Sequence, residues 1–300
     1  AVVAAILAGR RARHAMVVLD SGFGLLIDCL AVLALRARGA RIVVSHHTFK
    51  YVDAKSALFD LLLRAGGRNL AHAFLCERMA AGFAALYRDR PGGQRYIVGN
   101  SRRTETPEVF GEARDDEAFT VGFLSNLSFE KGLERYFEVV KALSARAPGV
   151  KGLLAGPAST EAVEAYVRRE LAANPNVEWL GAVYGGRKAA FFGRIDAFVF
   201  PTVYENEAQP NVLFEALAFG VPVATLRRGC IGEDLAGAGS LVADDPERFS
   251  AASVDFLAEM AGAAGRAKLQ ERRAQARARF DTLRGQALAE EAALFDRFRR

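Results

Sequence analysis

The chain has 300 residues, 51% hydrophobic and 25% charged, which excludes wholesale disorder and collagen-like repeats and suffices for about two domains at roughly 150 residues each. The formal net charge of +5 conceals an asymmetry: residues 1–103 hold 16 Lys+Arg against 6 Asp+Glu, and the remainder 24 against 29. A basic half followed by a mildly acidic one suggests two domains with different partners; the alternative is an Arg- and Ala-rich composition supplying arginine to solvated faces.

No apolar run reaches the ~18 residues of a membrane span; the longest, 23–35, is short and carries Asp28. The opening 1–8 is apolar, but Arg10, Arg11 and Arg13 follow it, where a secretory signal would carry its charge in front. Cys29, Cys76 and Cys230 are far apart and odd in number, so their spacing gives neither a disulfide framework nor a metal knuckle and suits a reducing cytoplasm.

In chain order, strands are expected at 16–19, 41–45, 72–75, 96–98, 119–124, 152–155, 177–180, 197–200, 222–225 and 240–242. Most are continuously apolar, as in strands buried on both faces of a parallel sheet. Helices are expected at 24–37, 54–64, 78–87, 132–145, 159–171 and 210–219, and the tail 246–300 reads as helix nearly throughout, either a coiled-coil arm or helices packing back over the domains. Repeated strand–helix units of this kind mean an α/β architecture. Polar, Pro- and Gly-bearing sequence at 101–117 marks a domain boundary. The chain lacks the opening strand and Gly-rich turn of a doubly wound domain, so sequence is expected to be missing at its front.

In open α/β sheets ligands bind beyond the carboxyl ends of the strands, and in the second half those ends are rich in small or charged residues. Ser125, Asn126 and then Lys131-Gly132 follow 119–124; Gly181, Val183, Gly185 and Gly186 follow 177–180; Arg227 and Arg228 follow 222–225. Between Glu205 and Gly220, Pro210 suits the first turn of a helix and Gly220 its left-handed exit. Glu207 then lies before the helix and Glu215 in its second turn. Backbone N–H groups near 209–212 offer a diphosphate site, and carboxylates beside it suit the hydroxyls of a sugar and a ribose. Lys131 is the natural cation for the same diphosphate. Read singly, each residue also fits an ordinary surface Glu or a solvated lysine at a helix start.

Taken together, SNLSFEKG (125–132), the Glu207/Glu215 pair eight positions apart, and EALAFGVPV (215–223) resemble the retaining glycosyltransferases of family 4 over about 119–245. The NEAQP variant (206–210) is similar to enzymes of bacterial surface-polysaccharide assembly. The resemblance implies a GT-B fold, two Rossmann-like domains facing across a cleft, with the first truncated at its N-terminus. The organisation expected is an acceptor-side domain at 1–103, a linker at 104–117, a donor domain at 118–282, and a C-terminal helix at 283–300 packing back on the first domain.

The resemblance implies transfer of a sugar from a nucleoside diphosphate sugar to a saccharide or lipid-linked acceptor, with retention and without cofactor or obligatory metal. Lys131 would hold the diphosphate, Glu207 the sugar and Glu215 the ribose. Gln209, Pro210 and Asn211 would form the loop whose backbone approaches sugar and phosphate. Gly181 to Tyr184, including Val183, would receive the nucleobase. Family members place an Arg where Asn126 stands beside Ser125, so phosphate binding here leans on Lys131, backbone N–H groups and Arg227. In RIVVSHHTFKYVD (41–53), His47, with His46 second, matches the histidine that faces the donor sugar. The basic first half would meet an anionic membrane surface, placing the protein in the cytoplasm, peripheral on the inner face of the membrane. A nucleotide-sugar 2-epimerase of the same fold and a non-catalytic sugar-nucleotide-binding subunit are the alternatives. Nucleic acid is not an expected partner, because no basic–aromatic motif accompanies the high pI.

Overall fold

The computed structural model describes residues 13–67, 70–87, 93–106 and 118–299. The apolar opening 1–8 and most of the expected linker, 107–117, lie outside the described residues. Contacts divide the chain into two units, one holding the residues up to Arg102 and those from Arg284 onward, the other Arg103–Leu283.

In the first unit β1 (His14–Val18), β2 (Arg41–Ser45), β3 (Leu70–Phe74) and β4 (Arg95–Ile97) form one parallel sheet in sequential order. Helices α1 (Gly24–Ala37), α2 (Lys50–Asp53), α3 (Ala57–Gly66) and α4 (Glu77–Leu86) connect them. The helix expected at 54–64 is α3, which starts three residues later, because Ser56 adopts extended backbone and its hydroxyl accepts the Phe59 N–H at 3.3 Å; the short α2 before it was not expected. Although α1 is apolar around most of its circumference, only one face is buried. Leu25, Val32 and Leu35 pack inward while Phe23, Leu26, Ile27, Leu30 and Leu33 are exposed.

The second unit has a six-stranded parallel sheet: β5 (Thr120–Leu124), β6 (Lys151–Ala155), β7 (Val177–Trp179), β8 (Ala197–Phe200), β9 (Val223–Leu226) and β10 (Leu241–Ala243). Its order, β10-β9-β8-β5-β6-β7, is that of a doubly wound Rossmann sheet, with the reversal between β5 and β8. The flanking helices are α5 (Leu133–Arg146), α6 (Glu161–Ala173), α7 (Gly186–Gly193), α8 (Asn211–Ala218), α9 (Ile231–Asp234) and α10 (Phe249–Ala258). The tail ends in α11 (Gly262–Arg299). It is no free arm: Leu269, Ala276 and Phe280 belong to the large core of the second unit. Within the first unit, Leu294 packs with Val43, Ala71, Ala73, Tyr96 and Val98, and Glu291 takes the Arg102 guanidinium at 2.7 Å.

Residues of β5 and β8 are buried along their whole length, which explains why they read as continuous apolar runs. The same burial leaves functional groups only to the turns at their carboxyl ends. Those turns meet at the reversal of strand order, the expected crevice of the fold.

Candidate functional site

A cavity of about 500 Å³ opens at that reversal, entirely within the second unit. Ser125 and Asn126 enter from the end of β5, Gly156 and Pro157 from β6, Val183 and Tyr184 from the turn after β7, and Lys188 from α7. The segment after β8 contributes Glu207, Gln209, Pro210, Asn211, Val212 and Glu215.

Lys131 is placed by a tight local structure. Ser128 caps a 3-10 turn over Phe129–Lys131, and Gly132 follows at φ +86°. A side chain at Gly132 would meet the Pro201 carbonyl oxygen at 2.2 Å, so only glycine lets this turn lie against the end of β8. The Val203 N–H donates to the Glu130 carbonyl at 2.8 Å, stitching the two turns together. Lys131 Nζ consequently lies 2.5 Å from Glu207 Oε2 and 4.5 Å from the centre of the Tyr204 ring. Thr202 donates a further hydrogen bond to the same carboxylate oxygen at 3.3 Å.

A second pair sits in the same cavity, with Lys188 Nζ 2.8 Å from Glu215 Oε1. The lining thus carries two cations and two carboxylates, each acid held by a lysine. Both lysines keep part of their side chain accessible, 23% and 34%, so they can reach a bound anion without leaving their acids. Pro210 caps α8 in extended backbone and is not inside its first turn, a small correction to the sequence reading. The first helical residues, Asn211 and Val212, line the cavity, where the N-terminal backbone donors of a helix have no intrahelical acceptor.

The loop before α8 is held from below. Gly229 stands where a Cβ would lie 2.3 Å from the Ala208 carbonyl oxygen, and the Cys230 N–H donates to that oxygen at 2.8 Å. Gln209 turns its amide inward, Nε2 donating to Asp234 Oδ1 and Oδ2 at 2.9 and 3.1 Å. Burial pushes the Asp234 carboxyl up to about 8.

The expected residues divide as follows. Ser125, Asn126, Lys131, Val183, Glu207, Gln209, Pro210, Asn211 and Glu215 line one cavity. Gly181 does not; its carbonyl accepts the Gly156 N–H at 2.7 Å, shaping the turn from behind. Arg227 does not either: it pairs with Asp244 at the surface, which corrects its assignment as a supplementary phosphate cation. His47 belongs to the first unit, its Nε2 3.0 Å from the Ser45 hydroxyl. His46, the second choice, is a core residue. It is fully buried, stacked 4.3 Å from Phe74 and 3.1 Å from His72 Nδ1, and burial holds its pKa well below the usual range.

Lys188 and Asp234 were missed by sequence reasoning. Lys188 lies on a short helix that was not expected, and Asp234 in GCIGEDL (229–235) looks like any acid in a surface turn. Among the described residues, no group of three or more His, Cys, Asp or Glu side chains is arranged to hold a metal.

Solved structures place the fold. The chain aligns with the pneumococcal O-GlcNAc transferase GtfA, solved with UDP and GlcNAc (TM-score 0.68, 13% identity, 93% of this chain and 57% of that one). It aligns also with Anabaena HepE bound to UDP (0.65, 15%, 93% and 78%) and with sucrose-phosphate synthase from Thermosynechococcus elongatus (0.67, 16%, 95% and 74%). The chain therefore spans little more than half the length of the first of these proteins. At such identities the likeness is one of fold: two parallel sheets with flanking helices, each unit Rossmann-like, as in GT-B glycosyltransferases. Residues 118–259, which include every residue lining the cavity, match the family model described as "Glycosyl transferases group 1". No curated protein sequence matches the chain.

Proposed function

We propose that this chain carries the donor site of a retaining glycosyltransferase, which moves a sugar from a nucleoside diphosphate sugar to a saccharide or lipid-linked acceptor in cell-surface polysaccharide synthesis. The observation that carries the reading is the convergence of two Lys–Glu pairs and the start of α8 on one cavity at the strand-order reversal. The match of residues 118–259 to the group 1 family model supports it. Retention and the surface-polysaccharide role rest on the resemblance of SNLSFEKG and NEAQP to family 4.

In this reaction the bond between the anomeric carbon and the diphosphate oxygen breaks, negative charge grows on the leaving diphosphate, the acceptor hydroxyl oxygen bonds to the anomeric carbon, and its proton passes to the departing diphosphate. Lys131 and the backbone donors at the start of α8 meet that charge, in a site where preorganised donors act at low dielectric. Glu207, steadied by Lys131 and Thr202, accepts from hydroxyls of the sugar; Glu215, steadied by Lys188, accepts from the ribose diol. Lys188, beside Glu215 on the ribose side, supplies a second cation toward the phosphate next to the nucleoside. The exposed Tyr184 ring at the rim, beside Val183, gives the nucleobase a face to stack on. No metal is called on. The acceptor side falls to the basic first unit, which would meet anionic lipid; liposome sedimentation with no preference for anionic vesicles would remove that part alone.

The test is thermal shift with UDP-, GDP- and ADP-sugars, followed by product analysis with acceptors. Binding raises stability by mass action, about 2.7 kcal/mol at a hundred times Kd. A chain stabilised by none of them does not carry this site, and conversion of the nucleotide-sugar without acceptor would favour a 2-epimerase.

A further inference from the structure

Asp234 takes no part in the chemistry proposed above, yet it is 3% exposed and lies directly beneath the donor cavity. A carboxylic acid is costly to bury without partners, so its surroundings indicate what it is kept for. Both of its oxygens receive Gln209 Nε2. Its own backbone is fixed from the other side, where the Arg279 guanidinium donates to the Asp234 and Glu233 carbonyls at 2.9 and 2.7 Å. Gln209 is itself buried and lines the cavity, two residues after Glu207 and two before the first residue of α8.

We propose that Asp234 is a positioning residue for donor binding: through Gln209 it fixes the loop that sets Glu207 and the start of α8. The inference rests on the donor-site reading but adds a residue that touches no substrate. The Cys230 N–H on the Ala208 carbonyl and the close approach of Gly229 hold the backbone of the same loop from the same turn. The turn after β9 is therefore a platform for this loop, holding it through backbone at Gly229 and Cys230 and through side chains on both sides at Asp234–Gln209. Since burial favours the neutral carboxyl, asparagine keeps its shape, one acceptor and one donor group, whereas leucine keeps the forked outline at a larger volume and removes the acceptors.

The experiment uses the full chain and the nucleotide among UDP, GDP and ADP that binds the parent most tightly, read by calorimetry and by donor KM and kcat. Asp234→Leu and Gln209→Met are each expected to weaken nucleotide binding about tenfold and to raise donor KM alike. The double variant should lose no more than either single one, as residues acting through one contact do. Asp234→Asn should stay within about threefold of the parent. Gln209→Met removes the contact without touching the buried acid, and so serves where Asp234→Leu does not fold. Unchanged affinity and KM in a folded Asp234→Leu or Gln209→Met chain would overturn the proposal, as would additive losses in the double variant. A parent chain that binds none of the three nucleotides overturns the donor-site reading and this inference together, an outcome distinct from normal binding by the variants.

Discussion

Lys131 is the residue on which the proposed chemistry turns most directly. Its ammonium is already oriented, between the Glu207 carboxylate and the Tyr204 ring, before any anion arrives. Loss of one preorganised donor to a developing negative charge typically costs 10²–10³ in rate. Lys131→Ala is expected to lower turnover by about that factor while the far-ultraviolet circular dichroism is retained. The variant also strands Glu207, whose side chain is only 11% exposed, so Lys131→Ala/Glu207→Gln separates a folding loss from a chemical one. The second pair predicts something different. Glu215 and Lys188 face a part of the donor remote from the reacting carbon in the proposed pose, so Glu215→Ala and Lys188→Ala should raise donor Kd about tenfold with little change in kcat. Comparing a nucleoside with its diphosphate distinguishes the two: Glu215→Ala should weaken both, Lys188→Ala chiefly the diphosphate. A kcat loss equal to that of Lys131→Ala would place the second pair at the reacting bond instead.

At the scale of the element, the turn from Ser128 to Gly132 decides where Lys131 points. Alanine at Gly132 would combine a disfavoured positive φ with a Cβ pressed on the Pro201 carbonyl. Strain of this kind costs of order 1–3 kcal/mol, and Gly132→Ala should lower the melting temperature by several degrees while weakening nucleotide binding, measured by the same thermal-shift series. An unchanged melting temperature would mean that the turn adapts. The buried histidines in the first unit carry a prediction of another sort. His46 and His72 sit among Tyr51, Phe59, Phe74 and Phe83, and burial lowers both pKa values, that of His72 to about 3. The unfolded chain takes up their protons near pH 6.5 while the folded chain refuses them until far lower. The unfolded state binds more protons across that interval, so stability is present above about pH 6.5 and is lost progressively as pH falls toward 3.

At the scale of the molecule, two cores with separate sheets carry pH sensitivities of opposite sign. Asp234 has the opposite sign to the histidines: its folded pKa is raised to about 8, so its contribution is fully present at low pH and is lost as pH rises from about 4 to 8. Thermal-unfolding scans from pH 5 to 8 should therefore show the histidines raising stability up to about pH 6.5 and Asp234 lowering it toward pH 8. A saturating nucleotide should raise the melting temperature. Asp234→Asn should flatten the pH response of the second unit, and a response as steep as the parent's would assign that titration to another group.

The sequence by itself determined the order and type of nearly all the strands, because buried parallel strands must be apolar along their whole length and so announce themselves locally. It also determined that Lys131, Glu207, Gln209, Pro210, Asn211 and Glu215 follow strand ends, where a doubly wound sheet leaves room for a ligand. Only the tertiary structure decided which of the two adjacent histidines is core, since RIVVSHHTF offers both and His46 happens to turn into the aromatic cluster. It also decided that Arg227 pairs with Asp244 at the surface, that Lys188 lines the cavity and that Asp234 is buried against Gln209. Pairings such as Lys188 with Glu215 and Asp234 with Gln209 join residues more than twenty positions apart, brought together because the start of α7 and the segments after β8 and β9 all lie at the carboxyl ends of one parallel sheet. Periodicity reports which way a side chain faces its own element; it carries no information on which distant side chain it will meet there.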